Sequence, residues 1–488
     1  MKDVFLENRT KAGIMVSLFL ALAIISAFSP SPGKEPDLKI SERSETYESN
    51  WGSVDTQGES FLEEAGFQEG SPQTDQTLAS GYHHTCAIQK DGSVSCWGYN
   101  DQGQLGNDTL STTQLQNTPV QTSSLGAGRT AVAISAGWAS TCAILDDGSV
   151  SCWGDGYEGQ IGDGTQNDRD TPTQTSSLGA GRTAVAISMG GLHVCVILDD
   201  GSISCWGHEN NGQIGDGSCC TDALTPTAVS MPAGRTAVAI SAGGEHTCAI
   251  MDDGSVYCWG KRDNGQIGDG VTSGDRANTP TQTSSLGSGR TAVAISSGDE
   301  HTCAILDDGS VSCWGLNDVG QIGDGTNTDR STPTQTSSLG ADLSAVSISS
   351  MYDHTCVIMD KSTTAYMDGL VSCWGWNDEG QIGDGTSTDR STPTQVFEAD
   401  GEAVYYALGI SAGLYHTCAI ISEMAELGAF HTATTHCWGD NSYAQIGDST
   451  WSDRLSPTEV NSGLSADSLT VGSFHNCVIT DDASVVNC

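Results

Sequence analysis

The stretch that decides the fold is "HTCAILDDGSVSCWG", His301 to Gly315. Two short β-prone runs, "HTCAIL" and "SVSCW", flank Asp307-Asp308-Gly309. A three-residue hairpin loop takes two right-handed helical residues and then a left-handed one, and Gly adopts positive φ without a Cβ clash. That register pairs Leu306 with Ser310, Ile305 with Val311 and Cys303 with Cys313. His301, Cys303, Ile305, Val311 and Cys313 then share one face, and Thr302, Ala304, Leu306, Ser312 and Trp314 the other. Both faces are apolar or small, so the sheet is expected to be covered on both sides.

The stretch recurs along the 488 residues. Its first cysteine falls at Cys86, Cys142, Cys195, Cys248, Cys303, Cys356, Cys418 and Cys477, in steps of 53 to 62 residues. A full unit, 292–335, adds a β-rich "AVAIS" before the hairpin and a "TPTQ" edge strand after it. Four antiparallel strands at such a period describe a propeller blade, and no helical periodicity supports an α-solenoid.

"SSGDEHTCAILDDGSVSCWGLNDVGQIGDG" resembles the regulator of chromosome condensation repeat, with its Gly-x-x-His start, Gly turn, Trp-Gly and Gly-Gln-Ile-Gly-x-Gly. The resemblance covers 77–488 and implies a β-propeller, usually seven-bladed, whose termini close the ring. The chain departs from that pattern in adding a cysteine pair to each hairpin. It also has eight hairpins, the last ending at Cys488 before any Trp-Gly. Trp51-Gly52 and Ser71-Pro72 resemble the missing half. The expectation is an all-β propeller of seven or eight four-stranded antiparallel blades, the hairpin count favouring eight. An N-terminal strand at about 71–76 would close the last blade.

Of 18 cysteines, sixteen fall in hairpin pairs: Cys86/Cys96, Cys142/Cys152, Cys195/Cys205, Cys248/Cys258, Cys303/Cys313, Cys356/Cys373, Cys418/Cys437 and Cys477/Cys488. A metal or redox reading wants C-x-x-C motifs or convergent ligands, and neither occurs. Even pairing behind an export signal argues for disulfides that rivet single blades, each worth about 3 kcal/mol at most. Cys219-Cys220 is open between a vicinal disulfide and free thiols.

That export signal is Lys2, Arg9 and Lys11 ahead of an uncharged, mostly apolar run at 12–28. Residues 1–30 thus read as a cleaved signal peptide or an N-terminal membrane anchor, and 31–76 as an acidic linker. The expected location is extracellular or at the cell surface. Asp plus Glu number 61 against 19 Lys plus Arg, a formal net charge of −42. Such a charge opposes nucleic acid and anionic membrane surfaces.

No hydrolase elbow and no P-loop occurs. The repeat histidines are His84, His193, His246, His301, His354, His416 and His475, with Ser140 standing in once. One per blade, they are expected to lock their own turns rather than share a metal. Asp324 and Asp329 in "GDGTNTDR" only partly match a calcium loop, and Arg330 is a competing partner. No catalytic residue and no cofactor is expected.

Residues repeated in every blade are scaffold, so function is sought where the copies differ. The loops before the histidine and after "CWG" carry large or cationic outliers: Trp138, Tyr157, His208, Lys261, Arg262, Trp376 and Tyr415. Aromatic and Arg side chains are typical interface anchors. The expected function is a non-enzymatic, monomeric scaffold that binds an unknown protein or glycan. Inhibition of an extracellular enzyme is the alternative, as is guanine-nucleotide exchange, which the family resemblance implies and export would disfavour.

Overall fold

The computed structural model describes residues 77–487, apart from 272–273, 275, 362–368, 398–405, 425–429, 461–464 and 481–485. The expected signal or anchor, the linker, the closing strand at 71–76 and Cys488 all lie outside the described residues.

The described residues form β-strands and no helix. Seven four-stranded antiparallel sheets follow one another in chain order, each strand paired with its sequence neighbour. Numbered as blades 1 to 7, they span 78–121, 131–174, 184–228, 237–282, 292–335, 343–395 and 407–460. A three-stranded sheet at 466–487 follows them. Its innermost strand, Ala466–Val471, lies against the innermost strands of blades 7 and 1 and closes the ring. Among the described residues the propeller thus has seven four-stranded blades, with the three-stranded sheet between the seventh and the first.

Blade 5 shows how the local sequence sets this geometry. Cys303 pairs with Cys313 and Ile305 with Val311. Gly309 has φ 75° at the left-handed position of the tip, and the Ser310 carbonyl accepts from Leu306 N at 2.8 Å. Asp308 Oδ1 accepts from Ser310 N at 3.1 Å, so the second Asp of the tip holds the returning strand. The insertions in blades 6 and 7 lengthen the hairpins and leave Cys356 opposite Cys373 and Cys418 opposite Cys437.

The two faces of the hairpin pack as their alternation requires. Cys303, Ile305, Val311 and Cys313 join Val357, Met359 and Trp374 of blade 6 in one core cluster. Ala304, Leu306 and Trp314 join Cys248, Ile250, Val256 and Cys258 of blade 4 in another.

Seven hairpin pairs are joined through their sulfurs within single blades: Cys86–Cys96, Cys142–Cys152, Cys195–Cys205, Cys248–Cys258, Cys303–Cys313, Cys356–Cys373 and Cys418–Cys437. They are bridges within single blades, as expected, and their surroundings add a second role. Cys142 and Cys152 also share a core cluster with Trp206 of blade 3, and Cys195 and Cys205 share one with Trp259 of blade 4. Each bridge stays inside its blade, but the face that carries it is the one packed on the next blade. The bridges are therefore part of the seams as well. Cys219 and Cys220 are joined to each other, Cys220 at φ 70°.

The repeated polar residues tie one blade to the next. Trp314 Nε1 donates to the Gln266 carbonyl of blade 4 at 2.8 Å. A Cβ on Gly268 would sit 2.9 Å from the Trp314 ring, and the same close approach explains the second glycine of the Gly-Gln-Ile/Leu-Gly that precedes Trp153, Trp206, Trp259, Trp374 and Trp438. The histidines are not turn locks, contrary to expectation. Each Nε2 reaches the threonine hydroxyl of the following blade: His84–Thr141, His193–Thr247, His246–Thr302, His301–Thr355 and His354–Thr417, at 2.7 to 2.9 Å. His475 to Thr85 closes the circle. Where the threonine hydroxyl donates onward to a glutamine carbonyl, as Thr417 does to Gln381 O at 2.9 Å, the imidazole must supply the proton from Nε2. Burial pushes these histidines down to about 3 or 4, so they stay neutral links.

Two seams depart from the rule. Between blades 2 and 3, Ser140 replaces the histidine, and the threonine position holds Val194, so donor and acceptor are missing together. Between blade 7 and the last sheet, His416 has no threonine to meet. Asn476 occupies that position and donates to the Gln445 carbonyl instead. The His416 ring nitrogens find no side-chain partner among the described residues.

Candidate functional site

The loop joining the first and second strands carries Gly-x-x-His because the imidazole fills the space above the glycine. A Cβ on Gly298 would lie 2.4 Å from His301 Cε1. Between glycine and histidine the side chains are unconstrained by the seam, and they differ from blade to blade. The loops after Trp-Gly emerge at the same end. Together they surround a funnel of about 1000 Å³ at the mouth of the ring.

The funnel brings together Trp138, Tyr157 and Tyr415 of the residues singled out from sequence. Trp138 lies over Gly191 of the next blade, where a Cβ would be 2.7 Å from its ring. Trp376 stands beside Tyr415, ring centroids 5.3 Å apart. The other three residues are committed elsewhere. His208 is buried, its Nδ1 accepting from Gln213 Nε2 at 2.9 Å. Arg262 is paired with Asp269 at 2.6 Å. Lys261 is held by Glu300 and by Glu245. Burial opposes its charge, yet the hydrogen bond to Glu300 and the surrounding carboxylates raise its pKa. None of the hairpin cysteines lines the funnel.

Further rings complete the wall. Tyr415 leads to Phe474 at 5.8 Å, Phe474 to His83 at 5.3 Å, and His83 to Tyr99 at 4.9 Å. Tyr352, Tyr82 and Tyr443 flank this chain. The rings therefore run without a break across four consecutive positions of the circle, from blade 6 through blade 1. Phe474 lies directly before the repeat histidine His475, and its weight as a candidate shows only when its ring is seen against Tyr415 and His83. Tyr82, Tyr99, Tyr352 and Tyr443 carry a signal only once the loops are known to converge.

Most of the remaining lining is small or uncharged, and its charged members are acidic. Asp101, Asp155, Asp168 and Asp299 line the funnel, and no Lys or Arg does. Burial, then the charge of Glu300, raises Asp299. At the rim Asp353 is pushed up to about 7, chiefly by burial and then by Asp318. Its Oδ1 accepts from Gln321 Nε2 at 3.1 Å.

Among the described residues, two clusters offer oxygen or nitrogen ligands, Glu158 with His208 and Asp222, and Glu379 with Asp440 and Asp453. Gln213 Oε1 already accepts from Asn211 N, so its nitrogen must donate to His208 Nδ1. His208 Nε2 faces the Asn210 side-chain amide at 2.8 Å, so both ring nitrogens already have neighbours within hydrogen-bond distance. In the second cluster, Asp440 and Asp453 hold turn amides of Ser442 and Asn441. The repeated Asp of "GDGT" is likewise occupied. Asp324 pairs with Arg330 and accepts from Thr326, and Asp329 accepts from Asn317 N at 2.9 Å.

The RCC1-like domain model matches residues 51–419. The chain belongs to the RCC1-like domain family. Among RCC1-like relatives, the ultraviolet-B receptor UVR8 of Arabidopsis thaliana is 29% identical over 393 residues, covering 80% of this chain and 82% of that protein. The human E3 ubiquitin-protein ligase HERC2 is 30% identical over 346 residues, which is 70% of this chain and 7% of that much longer protein. Prp20p of Saccharomyces cerevisiae, described with its binding properties to Gsp1p and histones, superposes with a TM-score of 0.63 at 18% identity. It covers 88% of this chain and 96% of Prp20p. Human WBSCR16 gives 0.55 at 17% identity, over 85% and 89%. These structural likenesses speak to the fold.

Proposed function

We propose that this RCC1-like propeller is a non-enzymatic, exported scaffold that holds a protein partner at its funnel mouth. The observation that carries the reading is the contrast within the repeat. Seam residues recur from blade to blade, while the loops converging on the funnel differ, with aromatic groups in blades 1, 2, 6 and 7 and none in blades 3 to 5. Aromatic side chains supply large contact area at low entropic cost, which suits an interface anchor. The basic lead and apolar run at 2–28, with paired cysteines in every hairpin, support export. The protein-binding properties of Prp20p support a partner of protein class.

The test is crosslinking of the full-length protein at its native surface, comparing Trp138→Ala/Tyr415→Ala with Arg290→Ala at the opposite end. Partner crosslinks are expected to vanish in the mouth variant and persist in the other. Crosslinks that survive in the mouth variant would move the interface off the funnel.

A further inference from the structure

The funnel combines two surfaces that ordinarily need different ligands. One is a run of rings, Trp376–Tyr415–Phe474–His83–Tyr99, of which Tyr415, His83 and Tyr99 line the funnel. The other is a set of carboxylates, Asp101, Asp155, Asp168 and Asp299, with no basic side chain among them. Asp101, Asp155 and Asp168 accept hydrogen bonds from their own turns, but no cation balances their charge, and an apolar guest would desolvate that charge at a cost. A neutral sugar would stack on the rings and leave the same charges uncompensated. A nucleic acid would be repelled. A guanidinium or ammonium satisfies both surfaces, since the ring faces attract a cation and the carboxylates neutralise it.

The protein's own cations do not meet this demand. Lys261 is held by Glu300 and Glu245, and Arg262 by Asp269. Asp299 and Asp353 both resist ionisation, burial being the first cause and neighbouring carboxylates adding to it. An arriving positive charge would relieve that repulsion. A funnel of about 1000 Å³ accommodates a few side chains of an extended segment and is too small for a folded domain.

We propose that the funnel mouth receives a flexible basic segment of the partner protein, an Arg or Lys side chain entering between the ring wall and the carboxylates of Asp101, Asp155 and Asp299. This rests on the reading of the mouth as the interface and adds the chemistry of what enters it. The net charge of −42 then steers the basic segment toward the protein, and the funnel supplies the specific site.

The test uses full-length protein and three fluorescent Gly/Ser-rich peptides bearing arginines, citrullines or glutamates, read by anisotropy at two salt concentrations. The arginine peptide is expected to bind, to weaken as salt rises, and to outbind the citrulline peptide by on the order of tenfold. Tyr415→Ala and Asp299→Asn are each expected to weaken it by roughly five- to thirtyfold, whereas Tyr415→Phe and Arg290→Ala leave it within about twofold. Thermal unfolding checks that each variant is folded, and Asp299→Asn carries the test if Tyr415→Ala is not. Equal binding of arginine and citrulline peptides overturns the proposal. So does arginine binding indifferent to both mouth variants, which would be attraction to the acidic surface at large. If no basic peptide binds while partner crosslinks still depend on Trp138 and Tyr415, the basic-segment inference fails and the mouth as interface stands. If those crosslinks ignore the mouth variants, the interface reading itself fails.

Discussion

The seams between blades and the funnel mouth at their end are made from the same repeat, yet they have diverged unequally. At the seams, Trp, His, Thr and Gly recur because each must fit a neighbouring blade that presents the same groups in return. A change on one side needs a matching change on the other. Ser140 facing Val194 is such a matched loss, and His416 facing Asn476 is an unmatched one. At the mouth, side chains such as Trp138, Glu245, Tyr352 and Tyr415 occupy the same short loop of different blades, and their blade-to-blade contacts are individual ones, Trp138 over Gly191 and Lys261 between Glu245 and Glu300. What recurs serves the ring as a whole, and what differs makes contacts of its own.

The largest test of this contrast is acid. The buried seam histidines have folded pKa values depressed to about 3 or 4, below the ordinary 6.5. A depressed folded pKa contributes stability above pH 6.5 that is lost as pH falls toward the folded value. Asp353, raised to about 7, and Glu209, raised to about 8, act in the opposite sense, their contributions fading as pH rises through those values. Seven histidines outweigh two carboxylates, so the urea midpoint is expected to fall between pH 7 and pH 5. A constant midpoint would mean that the imidazoles are not buried neutral links.

Trp314→Ala removes a fully buried ring between blades 4 and 5 and should cost about 3–5 kcal/mol in urea unfolding. Thr355→Val leaves the His301 Nε2 proton without its acceptor, an expected loss of about 1–3 kcal/mol. Asn476→Thr tests the unmatched seam in the stabilising direction. A hydroxyl there can accept from His416 and donate to the Gln445 carbonyl, and a gain of about 1 kcal/mol is expected. Destabilisation by Asn476→Thr would show that the last sheet follows its own rules. The smallest effect belongs to the mouth. Tyr157 is 70% exposed, and Tyr157→Ala should change stability by no more than about 0.5 kcal/mol. A loss comparable to Trp314→Ala would place the mouth among the scaffold elements.

Much of the blade was legible in the sequence. The Asp307-Asp308-Gly309 tip set the hairpin register, and the register set which residues faced which neighbour, because strand alternation leaves no other choice. Of the candidate site, Trp138, Tyr157, Trp376 and Tyr415 stand out as outliers in a repeat. Lys261, Arg262 and His208 look similar in sequence and are occupied in the fold; Asp269 and Gln213 lie in the same loops as their partners and were legible locally, whereas Glu300 comes from the next blade.

The amino-acid sequence by itself determined the all-β repeat, the cysteine pairing within hairpins and which loops vary from blade to blade. These follow from local geometry, where the residues of one hairpin decide the outcome. Only the tertiary structure decided that the histidines bridge blades, that the cysteine bridges pack on the neighbouring blade, that seven full sheets and a three-stranded one complete the ring, and that rings from 83 to 474 form one wall. Those facts depend on which blade meets which around a closed circle, and closure is a property of the whole chain that no single repeat contains.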